Sequence, residues 1–378
     1  MKRIIFGVMA AVAFLSCSKE QVIEVNRVND EITFNVVADN QTKAAAVYCN
    51  NNLPPQFTVY AKHLGKTYID GDIIEKSGTA DTPKWINTSG VRFWPTGSDL
   101  ITFYAYHNVY KDDAVDSFTW KTDAAPTVDF TVEDAVADQL DFIYAVHSQS
   151  CDYTNSVELN FRHALSQIVF KAKNTNPNLY VEIDGVSVCN VGNSNKFTFP
   201  ADHTDDNVND HNQPAATQMG NQGTWDELTG GQADYTVTFP TVAVHGNSTA
   251  CNLTVTTSTE FDNNTMLLLP QTTTKWNPAY SATYATNSYF LVDCRIYNVA
   301  GDSYVAGEDV KLYDGNVAIP VSFKWAQGKK YIYTFVFGNG NGGYIPGENK
   351  PVLTPIEFTV TADDFEAVTE PDTPMQRE

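Results

Sequence analysis

The side chains that could do chemistry are few and irregularly spread. Seven histidines are scattered over 378 residues. There is no His-Glu-x-x-His pair to hold zinc, no Gly-x-Ser-x-Gly elbow to present a nucleophile, and no glycine loop opening a helix to cradle phosphate. His163, beside Arg162 in "NFRHALSQIVF", has the residue type of a general base, but no nucleophile motif accompanies it. A histidine hydrogen-bonded at a domain seam is the expected role. The paired carboxylates Asp112 and Asp113, and Asp363 and Asp364, read as turn residues, since nothing fixes the separation an acid and base would need. His203, Asp205, Asp206, Asp210 and His211 fall in one polar stretch, without the ligand spacing and central glycine of a calcium loop. A solvated acidic face is expected there. Trp94 and Trp325 directly precede turns into strands, so packing is expected of them, while Trp225 lies in the long polar loop and is the tryptophan through which a sugar platform would be tested. The residues therefore predict no enzyme, no metal and no cofactor.

The elements that must position anything else are strands. Period two recurs in "FTVYA" (57 to 61), "LITFYAY" (100 to 106), "LDFIYAV" (140 to 146), "SQIVFKAK" (166 to 173), "YTVTF" (235 to 239), "CNLTVTT" (251 to 257), "YFLVDCRIY" (289 to 297) and "YIYTFVF" (331 to 337). Threonine, valine and aromatic residues fill them because branched and flat side chains pack well on a pleated surface. Pro, Gly and Asn clusters such as "NNNLPPQ", "NTNPN" and "GNGNGG" separate them. No stretch beyond two helical turns has a 3.6 period, which predicts an all-β protein of sandwich-like layers. "NTNPN", Asn174 to Asn178, divides the chain into two strand-rich halves, and "ADHTDDNVNDHNQPAATQMGNQGTWDELTGGQADY" reads as an exposed loop.

The N-terminus carries Lys2 and Arg3 before an apolar run, Ile4 to Ser16, which is shorter than the roughly 20 residues that span a bilayer. This is an export signal. Its end, "AFLSC", resembles a bacterial lipoprotein signal, with Cys17 as the lipidated first residue and Phe14 where leucine is usual. One acyl chain holds a protein weakly, so a full set of chains is needed at an outer-membrane anchor. Taking Lys2 and Arg3 from the 24 basic residues, against 45 acidic ones, leaves a formal charge of about −23. That charge argues against a nucleic-acid partner. Setting Cys17 aside leaves Cys49, Cys151, Cys189, Cys251 and Cys294, an odd and widely spaced set with no CxxC pair, so neither a disulfide framework nor a zinc site is expected.

Five segments, in order along nearly the whole exported chain, resemble the fimbrillin family of type V pilus subunits: "EITFNVVADNQTKA", "VRFWPTGSDLITFYAYH", "LNFRHALSQIVFKAK", "LLLPQ" (267 to 271) and "FKWAQGKKYIYTFVF". The resemblance implies two tandem transthyretin-like β-sandwich domains after a lipoprotein signal peptide, an outer-membrane destination, and cleavage by a trypsin-like protease after a basic residue in the first loop. Lys43, followed by Ala44, stands at that place, where several relatives carry arginine. The implied organisation is a signal at 1–16, a propeptide with a removable first strand at 17–43, an N-terminal sandwich at 44–175, a C-terminal sandwich at 176–347, and a donor-strand segment at 348–378.

One pattern within the sequence gives this a physical basis. "ITFNVVAD" puts Ile32, Phe34, Val36 and Ala38 on one face, and "IEFTVTAD" does the same with Ile356, Phe358, Val360 and Ala362. "VDFTVED", Val128 to Asp134, shares the alternation, so half-buried strands can also produce such a likeness. If the first copy were cut away, its sheet would expose an unpaired edge above an apolar groove, and the last segment of a neighbour could fill it. "GNGNGG", from Gly338 to Gly343, would let that segment swing outward. The expected partners are other fimbrial subunits, a processing protease, a lipid anchor, and a ligand on host or bacterial surfaces. The competing expectation is a surface glycan-binding lipoprotein.

Overall fold

The computed structural model of the protein describes residues 31–38, 53–79, 82–107, 117–122, 124–151, 156–200, 222–246, 249–254, 265–301, 304–305 and 309–364. No α-helix occurs among them. Apart from two 3-10 turns, Val136–Asp138 and Ser281–Ala285, the regular structure is β.

The first sheet runs, edge to edge, β1 (Phe34–Ala38), β9 (Val157–His163), β8 (Ile143–Ser150), β5 (Leu100–His107), β2 (Gln56–His63), β3 (Lys66–Thr79) and β4 (Thr82–Asn87). Its neighbours pair antiparallel except at β1, which runs parallel to β9. Alternation explains its inner face: Phe57, Val59 and Ala61 of β2 are buried at every second position and meet Ile101, Phe103 and Ala105 of β5. The opposite face is also covered. Tyr60 stacks on Phe118 at 3.6 Å between ring centroids, and Tyr104 and Tyr144 pack edge-on to Phe199.

That cover is a small second sheet, β13 (Thr224–Trp225), β12 (Ser194–Thr198), β7 (Thr127–Thr131) and β6 (Ser117–Thr119). Strands from both halves of the chain make it, with Phe197 opposite Val128 and Asn195 opposite Phe130. The third layer system is built from β14 (Ala233–His245), β11 (Leu179–Val191), β17 (Tyr289–Asn298) and β18 (Val310–Pro320). Facing them are β19 (Lys329–Tyr344), β10 (Ser166–Asn174), β15 (Cys251–Asn252) and β16 (Met266–Leu268), with β20 (Pro351–Asp364) added on β19. A single bridge, Ala318 to Tyr344, links the two groups. Phe170, Phe290 and Phe335 meet at the centre of the core between them.

Several expectations shift in detail. The strand expected at 140 to 146 starts at Ile143, because the residues before it are tied across the seam. His163 Nδ1 donates to Asp141 Oδ2 at 2.6 Å with both side chains buried, and Ala164 N donates to the Phe142 carbonyl. His163 is thus a bonded histidine at the junction between sheets, the role its sequence context suggested. The polar "NTNPN" is a turn with Leu179 N donating to the Asn176 carbonyl, and the strands on both sides of it, β10 and β11, belong to the C-terminal layers. The chain passes from the first sheet to the C-terminal layers earlier, between His163 and Ser166. The long polar stretch is not all loop: it contains β13 and runs into β14, and Trp225 Nε1 donates to the Ala164 carbonyl at 2.7 Å. The glycine-rich segment is a bulged part of β19, where Ile356 faces both Phe337 and Gly342. Gly338, at φ +93°, has no room for a side chain, since an added Cβ would lie 2.8 Å from Asn176 N.

β5 closes on His107, which is buried and donates Nδ1–H to the Gln56 carbonyl at 2.5 Å. Burial drives its pKa from the usual 6.5 down to about 4, against that hydrogen bond and the charge of Asp141. Between those two values the unfolded chain takes up a proton that the folded one refuses. Stability is therefore complete above pH 6.5 and is lost as pH falls towards 4, at about 1.4 kcal/mol per pH unit from this group. Urea unfolding between pH 7 and 4.5 measures the slope. His107→Gln, whose amide can still donate to Gln56, is expected to flatten it by one proton.

Candidate functional site

The described feature that departs most from an ordinary sandwich is β1. It is an edge strand, yet Ile32, Phe34 and Val36 are 4%, 7% and 5% exposed. Phe34 stands edge-on between Phe57 and Phe103, at 6.1 Å from each ring centroid, in a geometry favourable to aromatic pairs. β1 lies in a slot with two walls. One is the edge of β9, paired in parallel from Phe34 opposite Val157 to Ala38 opposite Phe161, with Val157 N donating to the Thr33 carbonyl at 2.8 Å. The other is the segment Arg92 to Trp94: Ile32 N donates to the Arg92 carbonyl at 2.8 Å and Glu31 bridges Phe93.

The second wall is held from beneath by residues that do not depend on β1. Arg92 Nε and Nη2 each donate to Asp72 at 2.7 Å, and Asn87 Nδ2 donates to the same carboxylate at 2.7 Å. Burial works to raise the pKa of Asp72, but the hydrogen bonds from Arg92 and Asn87 and the Arg92 charge outweigh it and hold the carboxyl below its usual range. Tyr68 Oη donates to the Phe93 carbonyl, and Trp94 is 1% exposed against Phe103. On the outer rim, Thr33 and Ser156 hydroxyls meet at 2.9 Å and Asn35 Nδ2 donates to Glu158 Oε2 at 2.8 Å.

The second copy of the strand sits elsewhere. β20 pairs antiparallel with β19, placing Ile356, Phe358, Val360 and Ala362 opposite Phe337, Phe335, Tyr333 and Tyr331. Those four β19 residues are buried in the C-terminal core. Val360 packs on that core at partial exposure and Ala362 is exposed. The two copies of the strand pattern are therefore in different sheets, each paired with its own chain. Cys17, Lys43, Ala44 and Cys49, with the paired Asp112 and Asp113 and the His203 to His211 cluster, lie outside the described residues. Asp363 and Asp364 are the last residues of β20 and not a turn. Asp72, Arg92, Ser156 and Glu158 carry no signal of this role in the sequence. Arg92 lay inside the quoted "VRFWPTGSDLITFYAYH", but nothing in spacing links it to Asp72.

A thiol and an imidazole meet where Cys151 Sγ lies 3.7 Å from His63 Nδ1, but both are buried in the N-terminal core, where a substrate has no access. Among the described residues no group of three or more His, Cys, Asp or Glu side chains could hold a metal, and Cys151, Cys189, Cys251 and Cys294 are free thiols. Trp94 and Trp325 are 1% and 5% exposed, as packing residues should be.

The sequence profile of fimbrillin-like proteins matches residues 42–362. The chain belongs to the fimbrillin-like family. Among solved structures, a fimbrial protein from Bacteroides vulgatus is similar at a TM-score of 0.54 and 15% identity, over 89% of this chain and 99% of that one. A candidate cell adhesion protein from Bacteroides uniformis aligns at a TM-score of 0.44 and 11% identity, over 89% and 99%. Another from Bacteroides eggerthii aligns at 0.42 and 14%, over 90% and 93%. Among curated proteins none matches. The B. vulgatus likeness establishes a shared fold for this fimbrillin-like chain, in keeping with the all-β reading of its sequence.

Proposed function

We propose that this fimbrillin-like chain is a structural or tip subunit of type V fimbriae. It is exported as a precursor lipidated on Cys17, cut after Lys43, and joined to other fimbrial subunits at the outer membrane by donor-strand exchange, so that the assembled fimbrium mediates adhesion. It is not an enzyme. The observation that carries the reading is β1, an edge strand whose inward Phe34 and Val36, with Ile32 just before it, are buried while its own sheet ends there. While β1 remains part of the chain, its tether gives it a high effective concentration in the slot and no separate strand competes well. Cleavage ends that advantage. An incoming strand with the Ile-x-Phe-x-Val-x-Ala profile then finds the β9 edge for backbone bonds and the Phe57–Phe103 socket for its aromatic residue. Because slot and donor are different surfaces, the contact repeats without closing and a filament grows.

The glycan-binding reading loses its test residue, since Trp225 is committed to Ala164 and to packing against Phe197. The assembly reading is tested by folding the exported chain, cutting it after Lys43 through an inserted site-specific protease sequence, and following it by size exclusion and electron microscopy. Ladders or filaments are expected, and deleting residues 350–378 should abolish them. A cut protein that stays monomeric at high concentration overturns the reading.

A further inference from the structure

Resting on the exchange reading above, we infer that Ser156 and Glu158, on the outer rim of β9, set the register in which an incoming copy of Ile356 to Asp363 settles in the slot. Residue-for-residue replacement of "ITFNVVAD" by "IEFTVTAD" puts Glu357 in the place of Thr33 and Thr359 in the place of Asn35. In the uncut chain those places face Ser156 and Glu158, at 2.9 and 2.8 Å between polar atoms. After replacement a carboxylate stands opposite the Ser156 hydroxyl, and the Thr359 hydroxyl stands opposite the Glu158 carboxylate. Each acid meets a donor.

Side-chain direction repeats every two residues, so only slips by two keep the apolar face inward. A slip that moves the strand towards its C-terminal end brings Glu357 opposite Glu158, two carboxylates side by side on a strongly acidic protein. The reverse slip places Thr361 opposite Glu158 without conflict, but it seats Val360 where Phe34 now stands between Phe57 and Phe103, leaving the socket underfilled. The rim charge closes one wrong register and the aromatic socket the other. Glu158 is thus a specificity-determining residue that the apolar profile alone does not reveal.

The test uses the full exported chain, folded and then cut after Lys43, with a fluorescent peptide of the sequence Lys350 to Asp364 and anisotropy as readout. The unmodified peptide binds. A Thr359→Glu peptide is expected to bind about two- to five-fold more weakly, as like charges on neighbouring strands do. On protein carrying Glu158→Lys the order of the two peptides should reverse. If both peptides bind but neither substitution alters the other's effect, the register inference is overturned and strand exchange stands. If the unmodified peptide does not bind at all, both fall.

Discussion

Phe34→Ala is expected to cost the uncut protein about 3–5 kcal/mol in urea unfolding, and to leave the stability of the protein cut after Lys43 unchanged. The loss comes from a side chain 7% exposed whose ring makes two edge-on contacts, with Phe57 and Phe103, in the N-terminal core. Ile32→Val, which removes one methylene at a 4% exposed position, sets the scale at about 0.5–1.5 kcal/mol. The contrast between the two forms is the informative part. If β1 leaves after cleavage, its substitutions cannot matter to what remains, whereas an equal loss in both forms would mean that the strand stays seated and the slot never opens.

Much of this architecture could be read from the residues, for a reason visible strand by strand. β2 buries alternate positions throughout and β10 does so from Phe170 onward, so the period of two is visible at 57 to 61 and in the second half of 166 to 173. β8 is buried on both faces, Ile143 and Ala145 on one and Tyr144 and Val146 on the other, so alternation could not fix where it begins. The polar turn at Asn174 to Asn178 has the composition of a boundary, because turns and linkers both use proline and asparagine. Only the pairing of β10 with β19 shows that both its flanks lie in one unit. The likeness of the two end strands was legible, since Ile-x-Phe-x-Val-x-Ala is a local pattern. Their neighbours were not. Arg92 and Asp72 are 20 residues apart in sequence, and Asn35 and Glu158 are 123 apart, so their contacts exist only once the sheet has brought the strands together.

Arg92→Met tests the wall opposite β9 and carries the second large effect. It leaves the Asp72 carboxylate, 4% exposed, with Asn87 as its remaining described hydrogen-bond donor. Breaking a buried ion pair from one side costs about 3–5 kcal/mol; the low end, about 3 kcal/mol, is expected here because the Arg92 side chain is 41% exposed and water can enter where it stood. The pH dependence has a defined sign. In the natural protein Asp72 titrates below its usual range, so the contribution of the pair is present above that range and is lost as pH falls through the folded value. Without Arg92, burial is opposed mainly by Asn87 and the pKa of Asp72 moves up. Acidification then protonates the carboxyl and relieves the strain of its burial. The gap between the two proteins should therefore narrow as pH drops from 7 towards 4, and adding Asp72→Asn to Arg92→Met should recover most of the loss at pH 7. A loss under about 1 kcal/mol that does not change with pH would mean that Tyr68 and Trp94 hold the wall unaided, in which case the carbonyl of Arg92 keeps its place for an incoming strand whether or not its side chain is paired.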